Sequence, residues 1–261
     1  WTIGKTMAKK KTVDQVDLFS GSETVGYNKA ALDSDSLKIF HEELRKGCEV
    51  CKTLKTNQTI PVTVRGNPNS DILILGQGPG QSEDEKGVPF SGSSGRYVDT
   101  LLKQSDIDPD RDCLLTNLVL CHFGRREPPS DAFHNCREYF HHILKLFNPK
   151  VILSLGLLTT RELVDIPEDI KAHQIVGSWF KNRYGVPTFC IYHPAFVLRP
   201  EGRRYEQQLK EHLRQFREQA VFVGCAINGY KWKKRGQKPE DAYYHPDEEV
   251  ELTEDTDVYT E

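Results

Sequence analysis

Four short apolar runs recur along this chain, each followed by a stretch of different period: Asp71–Gly76 (DILILG), Cys113–Cys121 (CLLTNLVLC), Lys150–Gly156 (KVILSLG) and Val186–His193 (VPTFCIYH). Runs of this length without polar alternation are the signature of strands covered on both faces. Between and after them, Gly95–Ser105, Asp131–Phe147, Leu157–Val164 and Gly202–Gln219 carry helical spacing. Strands separated by helices specify a parallel sheet with helices on both sides. The expected fold is therefore a three-layer α/β/α domain around a central four-stranded parallel sheet. In such sheets ligands bind beyond the carboxyl ends of the strands. Those ends are unusual here: Gly76-Gln77-Gly78-Pro79-Gly80, Asn117 to Cys121, Gly156, and His193-Pro194.

The domain is expected to span residues 36–219. Its first helix is marked by Leu37, Phe40 and Leu44, with Asp35 or Ser36 as N-cap and Gly47 closing it. Residues 1–35 are polar without sustained period and read as a flexible arm. Within them Met7 is the only methionine, followed by Ala8 and three lysines, so residues 1–6 read as non-native. Residues 220–261 read as a flexible tail, basic at Lys231-Trp232-Lys233-Lys234-Arg235 and acidic from Glu240 onward. Such charge blocks are usually solvated; the functional reading is a tail that shields a basic groove or recruits a protein partner. The formal net charge of −3 gives no overall nucleic-acid footprint. No apolar run approaches the roughly 18 residues of a membrane helix, and no signal peptide is evident, so a cytosolic or nucleoid location without membrane contact is expected.

Seven cysteines without a secretory signal argue for packing, catalysis or metal ligation rather than disulfides. Cys48 and Cys51 form a C-x-x-C after the first helix, Cys121 ends the second apolar run, and Cys136 lies inside the following helix. Four such thiolates suit either Zn²⁺ or an iron–sulfur cluster. Cys113, Cys190 and Cys225 fit simple core packing.

The loop from Gly76 to Gly95 (GQGPGQSEDEKGVPFSGSSG) combines glycines, a Pro-Phe pair and a helix start, features that let backbone approach an anion. This loop resembles the first motif of the family 4 uracil-DNA glycosylases. His193-Pro194-Ala195-Phe196-Val197-Leu198-Arg199 is similar to that family's closing motif, and Asn117 to Cys121 to its cluster-cysteine segment. The resemblance covers about Ser36 to Gln219, and with Cys48, Cys51, Cys121 and Cys136 it implies a 4Fe-4S cluster.

The resemblance implies a DNA glycosylase that extrudes uracil or a modified pyrimidine and hydrolyses its N-glycosidic bond, with single- or double-stranded DNA as partner. Phe90 would stack on the base, with Gly76, Gln77 and Gly78 around it. Asn117 would read the base edge, since an amide both donates and accepts. His193 would stabilise charge on the leaving base. Ser91, Gly92, Ser93 and Ser94 would hold phosphate, joined by Arg125 and Arg126. Val197, Leu198 and Arg199 would fill the space left in the duplex.

Two positions depart from the pattern. Gln77 stands where the family usually has glutamate; an amide can orient water but cannot take its proton. Leu120 replaces a common lysine. The loss at Gln77 keeps two alternatives open: a weakly active or inactive DNA-binding or replication-complex module, and a glycosylase for a bulkier base.

Overall fold

The computed structural model describes residues 26–51, 60–124 and 128–227. They form one six-stranded sheet with helices on both faces. In chain order the strands are β1 (Val64–Gly66), β2 (Ile72–Gly76), β3 (Cys113–Asn117), β4 (Val151–Leu155), β5 (Trp179–Lys181) and β6 (Pro187–Ile191). The helices are α1 (Lys29–Leu32), α2 (Leu37–Leu44), α3 (Gln81–Lys86), α4 (Ser93–Gln104), α5 (Ser130–Phe147), α6 (Leu157–Leu163), α7 (Pro194–Val197) and α8 (Glu206–Phe222).

Spatially the strands run β1-β3-β2-β4-β6-β5. The four central strands are parallel, as expected, and β1 and β5 add antiparallel edges that had not been anticipated. Both edge strands are three residues long and only part-buried, so they lack the apolar signal of the centre. The sheet extends from β2 toward β3 on one side and toward β4 and β6 on the other. Its topological switch point therefore lies between β2 and β4.

Side-chain alternation explains the unbroken apolar runs. Leu73 and Leu75 point to a core shared with Phe40 and Leu44 of α2 and Tyr139 and Phe140 of α5. Ile72 and Ile74 point oppositely, to a core shared with Leu101 and Leu102 of α4 and Leu213 and Phe216 of α8. Each strand residue thus faces helices whichever way it points.

The folded body is longer at both ends than expected. Before residue 36, Asn28 caps α1 through its side chain, and its backbone N–H donates to Tyr139 Oη at 2.7 Å. Ala31 is fully buried, so residues 26–35 belong to the domain rather than to an arm. After residue 219, α8 continues to Phe222, and Cys225 and Ile227 are buried. There the Ala226 N–H donates to Asp71 Oδ2 at 3.0 Å. The basic and acidic tail segments, and residues 1–25, lie outside the described residues. No helix among the described residues is long and apolar enough to cross a membrane.

Candidate nucleobase site at the strand ends

The carboxyl ends of β3, β2, β4 and β6 lie in a row and carry Asn117, Gly76-Gln77, Gly156 and His193. Register pairs Gly76 directly with Asn117. A Cβ on Gly76 would overlap Asn117 Oδ1 and stand 3.0 Å from Phe90 Cζ. The glycine is thus the floor on which the Asn117 amide and the Phe90 ring meet. Past Asn117 the chain leaves the strand while staying tied to β2, through Leu118 N–H to Gly76 O and Val119 N–H to Gln77 O, both at 3.0 Å. The strand expected to run to Cys121 therefore stops at Asn117, because the backbone bends there around the β2 loop. Gly78, expected beside the base, also makes room for the Phe123 ring, whose Cζ would lie 3.2 Å from a Cβ there.

Phe90 adopts a left-handed backbone, φ 59°, a costly conformation for an aromatic residue. Three groups hold it. Gly95 at the start of α4 leaves no space for a side chain against the Phe90 backbone. Arg65 donates from Nη1 to Phe90 O at 3.2 Å and from Nη2 to Asp99 Oδ1 of α4 at 2.6 Å. Arg65 sits on the unanticipated strand β1, and nothing in the sequence singled it out. Glu83 braces the same loop: it accepts from Gly92 N–H at 2.7 Å and from Gly80 N–H at 3.1 Å. This carboxylate is committed to two backbone amides, which gives it a structural task at the loop.

His193 is the N-cap of α7, its Nδ1 accepting the Ala195 N–H at 3.2 Å. A neutral imidazole with Nδ1 as acceptor carries its proton on Nε2. Burial, with a smaller contribution from the Arg199 charge, lowers its pKa to about 4, so the ring is neutral near pH 7. Gly156, at φ 96°, clears the adjoining space: a Cβ there would lie 3.0 Å from His193 Cβ. Two buried polar atoms at this end of the sheet, Gln77 Nε2 and Ser91 Oγ, have no hydrogen-bond partner among the described residues. Each can donate to a ligand or water. Ser91 to Ser94 lead into α4, whose N-cap Gly92 supplies no side-chain cap to the first-turn amides.

The closing motif divides. Val197 is 2% exposed and packs in the core, so it cannot enter a duplex; one turn of α7 points it inward. Leu198 is 42% exposed and Arg199 is exposed. Arg125 and Arg126 lie outside the described residues.

Cys48, Cys51, Cys121 and Cys136 gather on the α5 side of the sheet. Burial, then mutual repulsion with the other three, pushes the Cys121 thiol far up, and Cys136 is pushed to about 12. Donors face the sulfurs: Asn135 Nδ2 to Cys51 at 3.3 Å, Tyr139 Oη to Cys48 at 3.5 Å, and the Leu120 amide to Cys136. Among the described residues no three Cys, His, Asp or Glu side chains are arranged to hold one metal ion. Cys113, Cys190 and Cys225 are buried elsewhere, as core residues.

Residues 63–222 match the family model of the uracil DNA glycosylase superfamily. The chain belongs to this superfamily. It is 31% identical over 200 residues to the type-4 uracil-DNA glycosylase of Pyrobaculum aerophilum, covering 74% of this chain and 96% of the relative. The type-4 uracil-DNA glycosylase of Sulfurisphaera tokodaii is 30% identical over 195 residues, 72% of this chain and 86% of the relative. That of Archaeoglobus fulgidus is 32% identical over 173 residues, 63% and 84% respectively. The family 4 resemblance drawn from the motifs is thereby borne out. In this uracil-DNA glycosylase superfamily member, β2 to β6 and the helices between them all fall within the matched span, whereas Cys48 and Cys51 precede it.

Proposed function

We propose that this protein is a DNA glycosylase that extrudes uracil, or a closely related pyrimidine, and hydrolyses its N-glycosidic bond to leave an abasic site. The observation that carries the reading is the meeting of Phe90, Asn117 and the Gln77 loop over the bare Gly76, with a neutral Nε2–H donor on His193 at the same end of the sheet. The Phe90 ring offers a stacking face. The Asn117 amide donates and accepts at once, which suits the N3–H and O4 of uracil. His193 donates from Nε2 to O2 as negative charge builds there, a preorganised contribution of the oxyanion type. Because its ring is neutral, the donor is not lost through deprotonation near pH 7. Ser91 Oγ and the first-turn amides of α4 suit a backbone phosphate.

Gln77 cannot act as a general base. Its Nε2, without a partner among the described residues, can position water or a base carbonyl, leaving departure of the stabilised base as the main source of rate. This same residue favours the second reading, a base-binding module with little turnover or a pocket for a bulkier base.

Cys48, Cys51, Cys121 and Cys136 would hold a 4Fe-4S cluster. Four clustered cysteines, three buried and Cys48 part-buried, with N–H and O–H donors aimed at their sulfurs fit a group that takes up thiolates. When bound, such a cluster would tie the α2–β1 connection to the end of β3 and to α5.

The deciding experiment is single-turnover cleavage of oligonucleotides with one uracil, single- and double-stranded, by wild type and Gln77→Glu. Abasic-site formation by the wild type supports the glycosylase. Product only from Gln77→Glu supports the binding reading, and product from neither overturns uracil as the substrate.

A further inference from the structure

Bordered by His193 but by neither Asn117 nor Phe90, a half-open cleft of about 250 Å³ lies between the end of β4 and α7. It is lined by Gly156, His173, Tyr192, His193, Phe196 and Tyr205, among others. Three of its rings touch one another: Tyr192 and Tyr205 with centroids 4.8 Å apart, Tyr192 and Phe196 at 5.8 Å, and Phe196 and Tyr205 at 5.8 Å. Tyr192 is buried, but Phe196 and Tyr205 are only part-buried. The chain is bent to bring them together. A Cβ on Gly202 would overlap the Phe196 carbonyl, so the bare glycine lets residues 199–205 fold back onto α7.

The free charge beside this cleft is mainly cationic: the exposed carboxylate of Glu201 is outnumbered by three arginines. Arg204 lies over the Tyr205 ring, 4.8 Å from its centroid. Arg199 and Arg203 are exposed and enter no ion pair among the described residues, and Arg199 is near enough to His193 to depress its pKa. Glu206, by contrast, is paired with Lys210 at 3.0 Å. Part-buried aromatic rings beside unpaired guanidinium groups are what holds a single-stranded nucleic acid: bases stack while phosphates meet cations. The volume lies below the roughly 300–1,000 Å³ of drug-sized pockets, a scale suited to one planar base. Since His193 is a wall of both spaces, a strand whose extruded base sits against Asn117 has its next nucleotide within reach of this cleft.

We infer that the cleft between Gly156, Phe196 and Tyr205 is a second nucleobase site, which takes the base adjacent to the extruded nucleotide in single-stranded DNA. The inference rests on the glycosylase reading for the identity of the neighbouring site. It gives the protein a preference for substrates whose flanking base is unpaired, because a base held in a duplex cannot enter.

The test uses single-stranded oligonucleotides carrying a uracil nucleotide fluorinated on the sugar against cleavage. The fluorescent base aminopurine is placed in turn on either side of it and, as a control, several nucleotides away. Wild type, Phe196→Leu and Tyr205→Leu are compared after circular dichroism shows native folding; leucine keeps the apolar volume while removing the stacking face. The expected result is quenching at one flanking position only, lost in both variants, with affinity weakened roughly 5- to 150-fold, the range for one stacked base. Equal quenching in wild type and a folded variant, or none at either flank while the oligonucleotide binds, overturns the second site. Cleavage of ordinary uracil oligonucleotides, measured in parallel, separates the two readings. Cleavage without flank quenching leaves the glycosylase standing and removes the cleft. Variant-sensitive quenching without cleavage keeps the cleft as a base site and removes the glycosylase. An oligonucleotide that fails to bind at all overturns both.

Discussion

The side-chain oxygen of Asn117 lies against the bare Cα of Gly76, in space that any Cβ would occupy. The two residues face each other at the last register position of adjacent parallel strands. This packing fixes the amide that would read the base edge without demanding a hydrogen bond from its reading atoms. A methyl group at Gly76 must push Asn117 or Phe90 aside, and both are buried with little room to move. Gly76→Ala is therefore expected to lower single-turnover cleavage about 100-fold, the scale of an ångström-sized misplacement. Overpacking should cost about 1–3 kcal/mol in urea unfolding. Wild-type cleavage by a folded Gly76→Ala protein would show that Asn117 is not held in place by this contact.

The His193 tautomer gives a prediction in pH. An unfolded histidine titrates near 6.5, whereas folded His193 titrates near 4 because burial disfavours its charge. Below pH 6.5 the unfolded chain binds a proton that the folded chain refuses. The stability linked to neutral His193 is thus fully present above about pH 6.5 and is lost as the pH falls through about 4, by up to about 3 kcal/mol. His41, His142 and His212 are also lowered by burial and act in the same direction, so the comparison must be with His193→Gln. The difference in urea stability between wild type and this variant should shrink on acidification. A difference independent of pH from 7 to 4 would mean that His193 carries no such shift. In activity, His193→Gln should cost about 10²–10³-fold, the usual scale for one oxyanion donor.

Replacement of Cys121 by serine removes one of four clustered thiols at the point where β3 bends toward α5. Protein purified without oxygen is expected to contain iron and acid-labile sulfide and to absorb broadly in the visible. The Cys121→Ser and Cys48→Ala variants should lose colour and iron together. Their melting temperatures should fall as well, because the segments carrying the four residues are no longer joined. Stoichiometric zinc in a colourless wild-type protein would exclude the cluster. Cys190→Ala is the contrasting control: its thiol is buried among β6 and α6, and iron content should not change.

The centre of the fold was legible because its strands are buried on both faces, which leaves an unbroken apolar run that few other elements share. The edges were not. β1 and β5 contribute three residues each, half-buried and partly charged, and their backbones pair only because a complete neighbour is already in place. Arg65 was invisible for the same reason, since its value lies in reaching from an edge strand to the Phe90 carbonyl. Helix α3 (QSEDEK) has almost no apolar content; it exists around Glu83, which bonds the loop amides on either side of it. The site glycines were visible as glycines, but their task was not, because Gly76 and Gly156 are explained by residues of other strands.

The closing motif offers the sharpest contrast between neighbours. Val197 and Leu198 are adjacent, yet α7 buries the first to 2% and leaves the second 42% exposed as its C-cap. If Leu198 fills the gap left by an extruded nucleotide, it matters only where a stack must be opened and held open. Leu198→Ala is expected to slow cleavage of double-stranded uracil DNA by about tenfold, an apolar contact worth roughly 1.4 kcal/mol, while single-stranded cleavage stays within a factor of two. Val197→Ala should do the opposite. It removes core methyl groups, so stability should fall by about 1–3 kcal/mol, with no change in the ratio of double- to single-stranded rates. Parallel cleavage assays on the two substrates, with urea unfolding of each variant, distinguish these roles. An unchanged strand ratio in Leu198→Ala would exclude the wedge. A changed ratio in Val197→Ala would mean that α7 rotates on binding DNA and brings the buried residue to the surface.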